Sequence, residues 1–437
     1  MGFFLFLLYL SASYIRPSEQ FTELADAHII EAIAIVALPA AFLSFAITPG
    51  KSVARIPHVY LLAAFLVVVT ASPIIAQGWL GGGWLALDQF FTSIAILILI
   101  VCNVNSVRRL AVTAAVIILL SLALVAQAAL AVHAGYRAEL LTMTQTVAPE
   151  NDFGPEPDPI LRARGLGYLN DPNDLAQALI AVAPLLWPFW GRRRSIRNFI
   201  VVILPTAALI YGVFLTRSRG GMIAIVILAA LRIYESTKRF RLVMPALIAV
   251  VLVAVMLAGG FTGGRELNAT ADESVASRFD AWAAGLTMLK THPLFGVGYG
   301  AFDDFHTLTA HNSFVLCFAE LGLAGYVIWM ALLLSSHSSL ALVRRSAGKD
   351  AALARWARAS MFSLYGFVCS GFFLSRTYSP TLYLVLGMCV AVAAIAKAEG
   401  YQVVAPFRST AVQTAAGVVA SVALIYAMVR VHTAISL

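Results

Sequence analysis

Two arginines occur at a short polar turn between two apolar segments, in the sequence LTRSRGGM. Arg217 and Arg219 flank Ser218, and Gly220 and Gly221 follow at the start of the next predicted helix. A guanidinium group can hold two phosphate oxygens at once, and the first N–H groups of a helix attract anions. The turn is therefore a candidate cradle for a diphosphate. The alternative is that the arginines only reach lipid headgroups.

A third arginine occurs in the segment DESVASRFDAWAAGLTMLKTHP, which predicts an amphipathic helix. Asp272 or Ser274 would cap the start of this helix, and Pro293 would end it. Arg278 lies at the edge of the apolar stripe, whereas Asp280 points away from it. At that edge Arg278 faces either a ligand or a local ion-pair partner. The stripe consists of Val275, Phe279, Trp282, Leu286 and Leu289.

A histidine precedes the apolar segment that begins AHNSF. The neutral imidazole of His311 can take a proton from an alcohol near neutral pH, which makes it a candidate catalytic base. Asn312 and Ser313 are typical of a helix N-cap, and a cap is the alternative role for the whole triplet. Glu320 follows in the same segment and is expected to face protein or a polar cavity.

Two further groups have weaker assignments. Asp171, in the sequence LNDPND, is a possible supporting residue, although it and the residues up to Asp174 also suit the end of a loop and the cap of a helix. The histidines and aspartates between His292 and His311 fit no usual ligand spacing, so we predict no metal site and no cofactor.

The composition indicates the kind of elements that must position these side chains. The chain has 437 residues, of which 60% are hydrophobic and 12% charged, and its mean hydropathy is +0.86. So few charges cannot cover a water-soluble surface, and the repeated apolar runs predict an all-α polytopic membrane protein with about 12–13 transmembrane helices. The candidate spans lie near 2–15, 27–47, 57–76, 86–102, 109–133, 174–190, 198–215, 219–233, 242–260, 312–335, 356–374, 380–396 and 410–430.

The distribution of charge orients these spans. With the N-terminus in the cytoplasm, the inward loops hold 19 of the 30 Lys and Arg residues but only 3 of the 22 Asp and Glu residues. This asymmetry is the positive-inside pattern, so the net charge of +8 requires no nucleic-acid partner. The candidate arginines and His311 then fall on the outward face, where cations are otherwise scarce.

The spans and loops predict five consecutive regions. The first outward loop is rich in Pro, Asp and Glu and is expected to start as a flexible segment. The second outward loop contains the amphipathic helix. The regions are N-terminal transmembrane helices at 1–133, an outward loop at 134–173, central transmembrane helices at 174–260, an outward helical loop at 261–311 and C-terminal transmembrane helices at 312–437.

Four segments, in this order, resemble the O-antigen ligase and polymerase superfamily of bacterial membrane glycosyltransferases. They are LNDPNDLAQALIAVAPL, LTRSRGGM, RFDAWAAGLTMLKTHPLFGVGYGAF and AHNSFVLCFAELGLAGYV, and they cover roughly residues 165 to 330. The resemblance implies a GT-C-like helical fold in the bacterial inner membrane, with the active site facing the periplasm. It also implies that Arg219 binds diphosphate, that Arg278 is a second basic position and that His311 activates the acceptor. Arg217 is the less certain member of this set.

The activity implied by the resemblance is transfer of a glycan from an undecaprenyl-diphosphate carrier to the hydroxyl of an acceptor glycolipid or growing glycan. Such a reaction needs no metal, and direct attack predicts inversion at the anomeric carbon. The sequence does not separate a ligase from a polymerase, although the lack of a large folded periplasmic domain slightly favours a polymer or exopolysaccharide role. The alternatives are a transporter or flippase of lipid-linked sugars and a relative that glycosylates protein hydroxyls.

Overall fold

The computed structural model describes residues 1–47, 57–145, 160–191, 193, 195–236, 269–348 and 351–435. In these ranges the chain is largely helical, with one two-stranded sheet, as the all-α membrane fold predicts. The helices are α1 Gly2–Ile15, α2 Pro17–Gln20, α3 Ile29–Ile47, α4 Pro57–Gln77, α5 Leu80–Asn103, α6 Val107–Ala134, α7 Ala138–Leu141, α8 Pro172–Val182, α9 Ser195–Asn198, α10 Leu204–Leu215, α11 Arg219–Ser236, α12 Ala269–Thr291, α13 Phe302–Phe305, α14 Ser313–Ser346, α15 Ala352–Gly371, α16 Pro380–Ala398 and α17 Phe407–Ile435.

Four shorter elements complete this order. One 3₁₀ helix directly follows α2, a second directly precedes α8 and a third extends α8 to Phe189. A π-helical turn at Phe199–Ile203 joins α9 to α10, so that 195–215 forms one continuous apolar segment. Eight described helical segments are long and apolar enough to cross a membrane: 29–46, 57–77, 80–103, 107–134, 195–215, 313–346, 380–398 and 407–434. The chain is therefore a multi-pass membrane protein.

Some sequence-based expectations fall outside the described residues. They are the candidate span at 242–260, the middle of the first outward loop at 146–159 and the start of the second outward loop at 261–268. The side chain of Val275 also lies outside the described part. Helix α12 begins at Ala269, so Asp272 and Ser274 lie inside it, and the prediction that either residue caps its start is wrong. The helix ends at Thr291, shortly before Pro293, as the sequence predicts.

The longest helix, α14, is the centre of the bundle. It packs against α4, α12, α15 and α17, and most of its side chains are buried, including the large rings of Phe318, Tyr326 and Trp329. At one end of the bundle, α8, α11 and α14 begin and α10 and α15 finish. We call this the site end. The end where α11 and α14 finish and α15 begins is the opposite end.

A sharp kink interrupts α14 at Gly322, which has φ 60° and ψ −164°. The segment 293–302, which contains the sequence GVGYGAF, docks against this kink. The N–H of Leu323 donates to the Pro293 carbonyl at 2.8 Å, and the N–H of Val297 donates to the Ala319 carbonyl at 2.9 Å. The glycine-rich sequence therefore serves as a bend that returns the chain to the membrane helices.

Glu320 lies at the same kink and faces protein, as expected for an acid at this depth. Its side chain is 3% exposed, and its Oε1 accepts a hydrogen bond from the N–H of Phe302 at 3.3 Å. Its backbone carbonyl accepts a second bond from Gly298 N–H at 3.0 Å. The contacts of Glu320 thus hold the bend that leads to His311.

A short hairpin differs from the flexible segment that the composition of the first outward loop predicts. Strand β1, Thr142–Gln145, pairs antiparallel with β2, Ile160–Ala163, with Thr142 opposite Ala163. Strands of four residues are too short to give a recognisable alternation, and an isolated pair of strands has little stability of its own. The contacts of Arg162, described below, fix this hairpin to the helices.

The kink provides a test of the fold. In Gly322→Ala, the new methyl carbon would lie 2.4 Å from the backbone of Leu294, in addition to the cost of the left-handed conformation. We expect a loss of at least ~1–3 kcal/mol in the free energy of unfolding, measured as a lower thermal unfolding midpoint in detergent. Gly135→Ala is the control, because Gly135 has φ 70° but open space around it. Equal losses in the two variants would contradict the docking of segment 293–302 on the kink.

Candidate active site

The turn between α10 and α11 has the tight form that the sequence predicts. Helix α10 ends at Leu215 and α11 begins at Arg219. The hydroxyl of Ser218 accepts a hydrogen bond from Gly221 N–H at 3.2 Å, as an N-cap does, and donates to Asn173 Oδ1 at 2.8 Å. Arg217 has a left-handed backbone with φ 53° and an exposed side chain. It therefore lies at the rim of the turn.

The two glycines of this turn do not face open space. A Cβ at Gly220 would lie 3.0 Å from Phe373 Cβ, and a Cβ at Gly221 would lie 3.0 Å from Ala176 Cβ. The small residues let α11 approach α8 and the loop after α15 closely. The glycine side of the turn thus packs against protein, and the arginines are the groups of the turn that can reach a ligand.

Two nitrogens of the Arg219 guanidinium group have no hydrogen-bond partner among the described residues. Its Nε and Nη2 atoms are buried, and neither makes a hydrogen bond within that part of the chain. A buried guanidinium nitrogen without an acceptor is costly, because it has lost its hydration. An anionic ligand with oxygens at these positions would remove that cost.

A second arginine, which the sequence analysis did not select, lies beside Arg219. Arg162 on β2 donates from Nε to the Thr216 carbonyl at 3.0 Å, from Nη2 to Asn173 Oδ1 at 3.1 Å and from Nη1 to Gln145 Oε1 at 3.3 Å. Burial lowers the pKa of Arg162, and the nearby charge of Arg219 lowers it further. Arg162 therefore fixes the turn through its hydrogen bonds and adds positive charge to the site.

Helix α12 brings Arg278 to the same place. Its stripe packs on α14 and α17: Trp282 is buried, Phe279, Leu286 and Leu289 are partly buried, and Asp280 is exposed as predicted. Arg278 lies four residues before Trp282, on the same helix face. Burial lowers the pKa of Arg278, and so does the charge of Arg219. Helix α12 therefore places a second guanidinium charge within electrostatic range of Arg219.

Hydrogen bonds on both sides of His311 fix its backbone. Trp282 Nε1 donates to the Ala310 carbonyl at 2.9 Å, and Thr309 Oγ1 donates to Ser375 Oγ at 3.0 Å. Asn312 caps α14 as predicted, since its Oδ1 accepts from Phe314 N–H at 2.9 Å and from Val315 N–H at 3.2 Å. His311 itself has a left-handed φ of 48°. The capping role belongs to Asn312, and the imidazole remains available for other chemistry.

Ser313 does not cap the helix but ties it to the loop between α15 and α16. Its hydroxyl donates to the Leu374 carbonyl at 2.6 Å and accepts from Arg376 N–H at 2.9 Å, while Thr377 Oγ1 donates to the Ser313 carbonyl at 2.7 Å. This loop carries Arg376, the second basic residue that the sequence analysis did not select. Its position beside His311 follows from these three bonds.

The side chain of Arg376 pairs with a buried acid on another helix. Its Nε donates to Asp174 Oδ1, and the Asp174 side chain is 6% exposed. Burial by itself would lower the pKa of Arg376, but the Asp174 carboxylate more than reverses this effect and raises the pKa. Asp171, rather than Asp174, caps α8 by accepting from Asn173 N–H at 2.7 Å. Asp171 thus caps α8, Asp174 ties α8 to the Arg376 loop and Asn173 ties it to the turn.

Electrostatics favour the neutral form of His311. Burial lowers the pKa of its imidazole, and the positive charges of Arg278 and Arg376 lower it further. Asp171 and Asp303 act in the opposite direction, but the net shift is downward. A neutral imidazole fixed between cations can accept a proton at neutral pH. The site therefore combines Arg219 and Arg278, which are available to an anion, with a histidine suited to act as a base.

Sequence reasoning missed Arg162 and Arg376 for a physical reason. Each occurs alone, in a segment without a motif, and reaches the site only because distant segments fold together. One signal was available: both lie in outward loops, where the positive-inside pattern leaves few cations. Of the selected residues, Arg219, Arg278 and His311 are linked by mutual electrostatic effects, Asp171 and Asn312 adjoin them, and Glu320 holds the bend nearby.

The fold and this cluster define a multi-pass membrane protein with a cationic, histidine-containing site at one end of its helical bundle. Residues 204–330 match the protein-family model for O-antigen ligase, which confirms the resemblance to the O-antigen ligase superfamily. The match includes the turn after α10, helix α12, His311 and Glu320, but not Arg162, Asp171 or Arg376. It implies a ligase activity of the glycosyltransferase type. No curated protein matches the chain.

The charges around His311 predict opposite shifts in the pH dependence of activity. Asp171→Asn keeps a good N-cap but removes a negative charge, so the pKa of His311 should fall and the acidic limb of kcat/KM should move to lower pH. The double variant Arg376→Gln/Asp174→Asn removes a buried ion pair as a unit and should move the limb to higher pH, because Arg376 no longer opposes protonation. The measurement is a pH–rate profile of glycan transfer.

Asp304→Asn is the control for this experiment, since Asp304 is exposed and is not among the charges that act on His311. Shifts of the same sign in the Asp171 and Arg376/Asp174 variants would contradict the assignment of His311 as the titrating group.

Proposed function

We propose that the protein transfers a glycan from an undecaprenyl-diphosphate carrier to the hydroxyl group of an acceptor sugar, on the periplasmic side of the bacterial inner membrane. The observation that carries this proposal is the pair of buried nitrogens on Arg219 that make no hydrogen bond to the described residues. Arg278 interacts electrostatically with both Arg219 and His311. A diphosphate supplies the acceptor oxygens and the negative charge that this arrangement lacks. The family match supports the same class of reaction.

In the proposed mechanism the arginines act on the leaving group. Cleavage of the sugar–phosphate bond places negative charge on the carrier diphosphate. Arg219 and Arg278 stabilise that charge at oxygens they already contact, in a site where burial strengthens each interaction. Arg162 takes part through its charge and through the turn that it fixes, because its hydrogen-bond donors already bind Thr216, Asn173 and Gln145.

His311 acts on the acceptor. Its neutral imidazole takes the proton from the attacking hydroxyl as that oxygen bonds to the anomeric carbon. One direct displacement inverts the configuration at this carbon. After transfer the proton rests on the imidazole and the charge on the released carrier diphosphate. No step requires a metal, since guanidinium groups hold the phosphate charge.

The difference in charge between the two ends of the bundle supports the periplasmic location. The site end carries the acidic loop residues Asp171, Asp303 and Asp304 as well as the site arginines. The opposite end carries a larger excess of cations, among them Arg108, Arg109, Arg344, Arg345, Arg355, Arg358 and Lys397. By the positive-inside pattern the opposite end faces the cytoplasm.

The acceptor distinguishes the members of this class of enzyme. A ligase transfers the glycan to a lipid A core sugar, and a polymerase transfers it to another carrier-linked repeat. Both use the same donor site and the same base. The residues described above therefore concern the donor, which the members of this class share. The experiment below accordingly measures donor binding as well as transfer.

Transfer and donor binding should separate in two variants. His311→Ala should lower the transfer rate by about 10²–10⁴-fold and leave binding of the carrier-linked donor nearly unchanged. Arg219→Lys should weaken donor binding, because a single ammonium group does not replace a guanidinium fork. The assay reconstitutes the protein in vesicles with a carrier-linked glycan and an acceptor, and measures transfer and binding separately.

Arg164→Gln is the matched control for loss of an arginine near the site. Arg164 directly follows strand β2, which carries Arg162, but its side chain binds the Leu140 and Glu139 carbonyls and not the site. Normal transfer by folded His311→Ala protein would refute the role of this residue as the base. Movement of the carrier across the bilayer without a new glycosidic bond would favour a transporter instead.

A further inference from the structure

A polar cavity lies at the opposite end of the bundle from His311. It has a volume of about 650 Å³ and is formed by the last turns of α11 and α14 and the first half of α15. We call it the basic pocket. Its charged lining residues are Glu235, Arg344, Arg345 and Arg358. These residues play no part in the proposed transfer reaction, so the inference below does not depend on it.

Among the described lining residues, the positive charges of the basic pocket outnumber the negative ones. Glu235 is the acceptor for several cations at once: Arg344 pairs with its carboxylate, Arg358 Nε lies 3.6 Å from Oε2 and Arg232 Nη1 lies 4.0 Å from the same oxygen. One carboxylate cannot neutralise the three arginines that line the cavity. Guanidinium groups that face one cavity repel each other unless an anion lies between them. The lining is therefore electrostatically complementary to a phosphate group.

Deeper in the bundle the described lining is mainly apolar and includes one hydrogen-bonded pair of polar side chains. Leu231, Met361 and Phe362 form part of it, and Tyr365 hydrogen-bonds to His337 Nδ1 at 2.8 Å. Tyr365 lies seven residues after Arg358 along α15, which places it about 10 Å further from the helix end. The cavity thus has cations at its mouth and an apolar interior, the arrangement that an amphiphile with an anionic headgroup requires.

The position of the cavity agrees with this ligand. Arg344 and Arg345 lie in the last turn of α14, an apolar helix long enough to cross the membrane. The end of such a helix lies at the depth of the lipid headgroups. Basic pockets between membrane helices at this level can bind lipid phosphates. From the charge, the apolar interior and the depth, we propose that the basic pocket binds the phosphate headgroup of an anionic phospholipid.

The experiment uses the full chain, purified in a neutral detergent, and measures lipid binding by native mass spectrometry and by the thermal unfolding midpoint. Phosphatidylglycerol should bind and raise the midpoint, whereas phosphatidylcholine should do neither. Arg345→Gln should weaken phosphatidylglycerol binding by about fivefold. The Arg345 side chain is exposed, so this substitution should not prevent folding.

Two further variants make the test specific. Arg355→Gln is the control, because Arg355 is an exposed arginine on the same helix end that does not line the cavity, and its loss should leave binding unchanged. Glu235→Gln should tighten binding, because it removes the carboxylate that competes with the lipid phosphate for Arg344 and Arg358. A purely structural ion-pair cluster would give no gain in lipid binding.

Three results would overturn the proposal. The first is equal binding of phosphatidylglycerol and phosphatidylcholine. The second is an equal loss of binding in the Arg345 and Arg355 variants, which would indicate only a diffuse attraction by the whole basic surface. The third is an equal rise of the unfolding midpoint with inorganic phosphate alone, which would assign the pocket to a free anion instead of a lipid.

Discussion

The site depends on the repulsion between guanidinium groups that the fold holds together at one end of an apolar bundle. Arg162, Arg219, Arg278 and Arg376 approach closely enough for their charges to affect one another or His311. Two of them are compensated inside the protein, Arg376 by Asp174 and Arg162 by three hydrogen-bond acceptors. Arg219 keeps buried donors without a described partner. This difference separates the arginines that build the site from those that can bind a ligand.

The same arrangement explains why His311 needs a rigid support. The charges of Arg278 and Arg376 lower the pKa of the imidazole only while its backbone holds it near them. The bonds from Trp282 to Ala310, from Thr309 to Ser375 and from Ser313 to the Arg376 loop hold that backbone in place. The kink at Gly322 and the contacts of Glu320 position the preceding bend. Stability of the fold and the chemistry proposed for the site therefore rest on the same contacts.

The sequence predicts the features that depend on local spacing. The turn before Arg219, the cap at Asn312 and the end of α12 before Pro293 are all confirmed. The sequence does not predict features that depend on distant segments meeting. The pair of Arg376 and Asp174 joins residues that are 202 positions apart, and Arg162 reaches the turn through a hairpin too short to recognise. The close packing of Gly220 against Phe373 and of Gly221 against Ala176 also depends on such distant segments.

The most direct test of the central claim is the affinity of the purified protein for undecaprenyl diphosphate, compared with undecaprenyl monophosphate, in wild-type protein and in Arg219→Gln and Arg278→Gln variants. The account predicts that wild-type protein prefers the diphosphate, that each arginine variant loses this preference and that His311→Ala retains it. Equal affinities of wild-type protein for the two carriers, or a preference that survives loss of both arginines, would contradict the account.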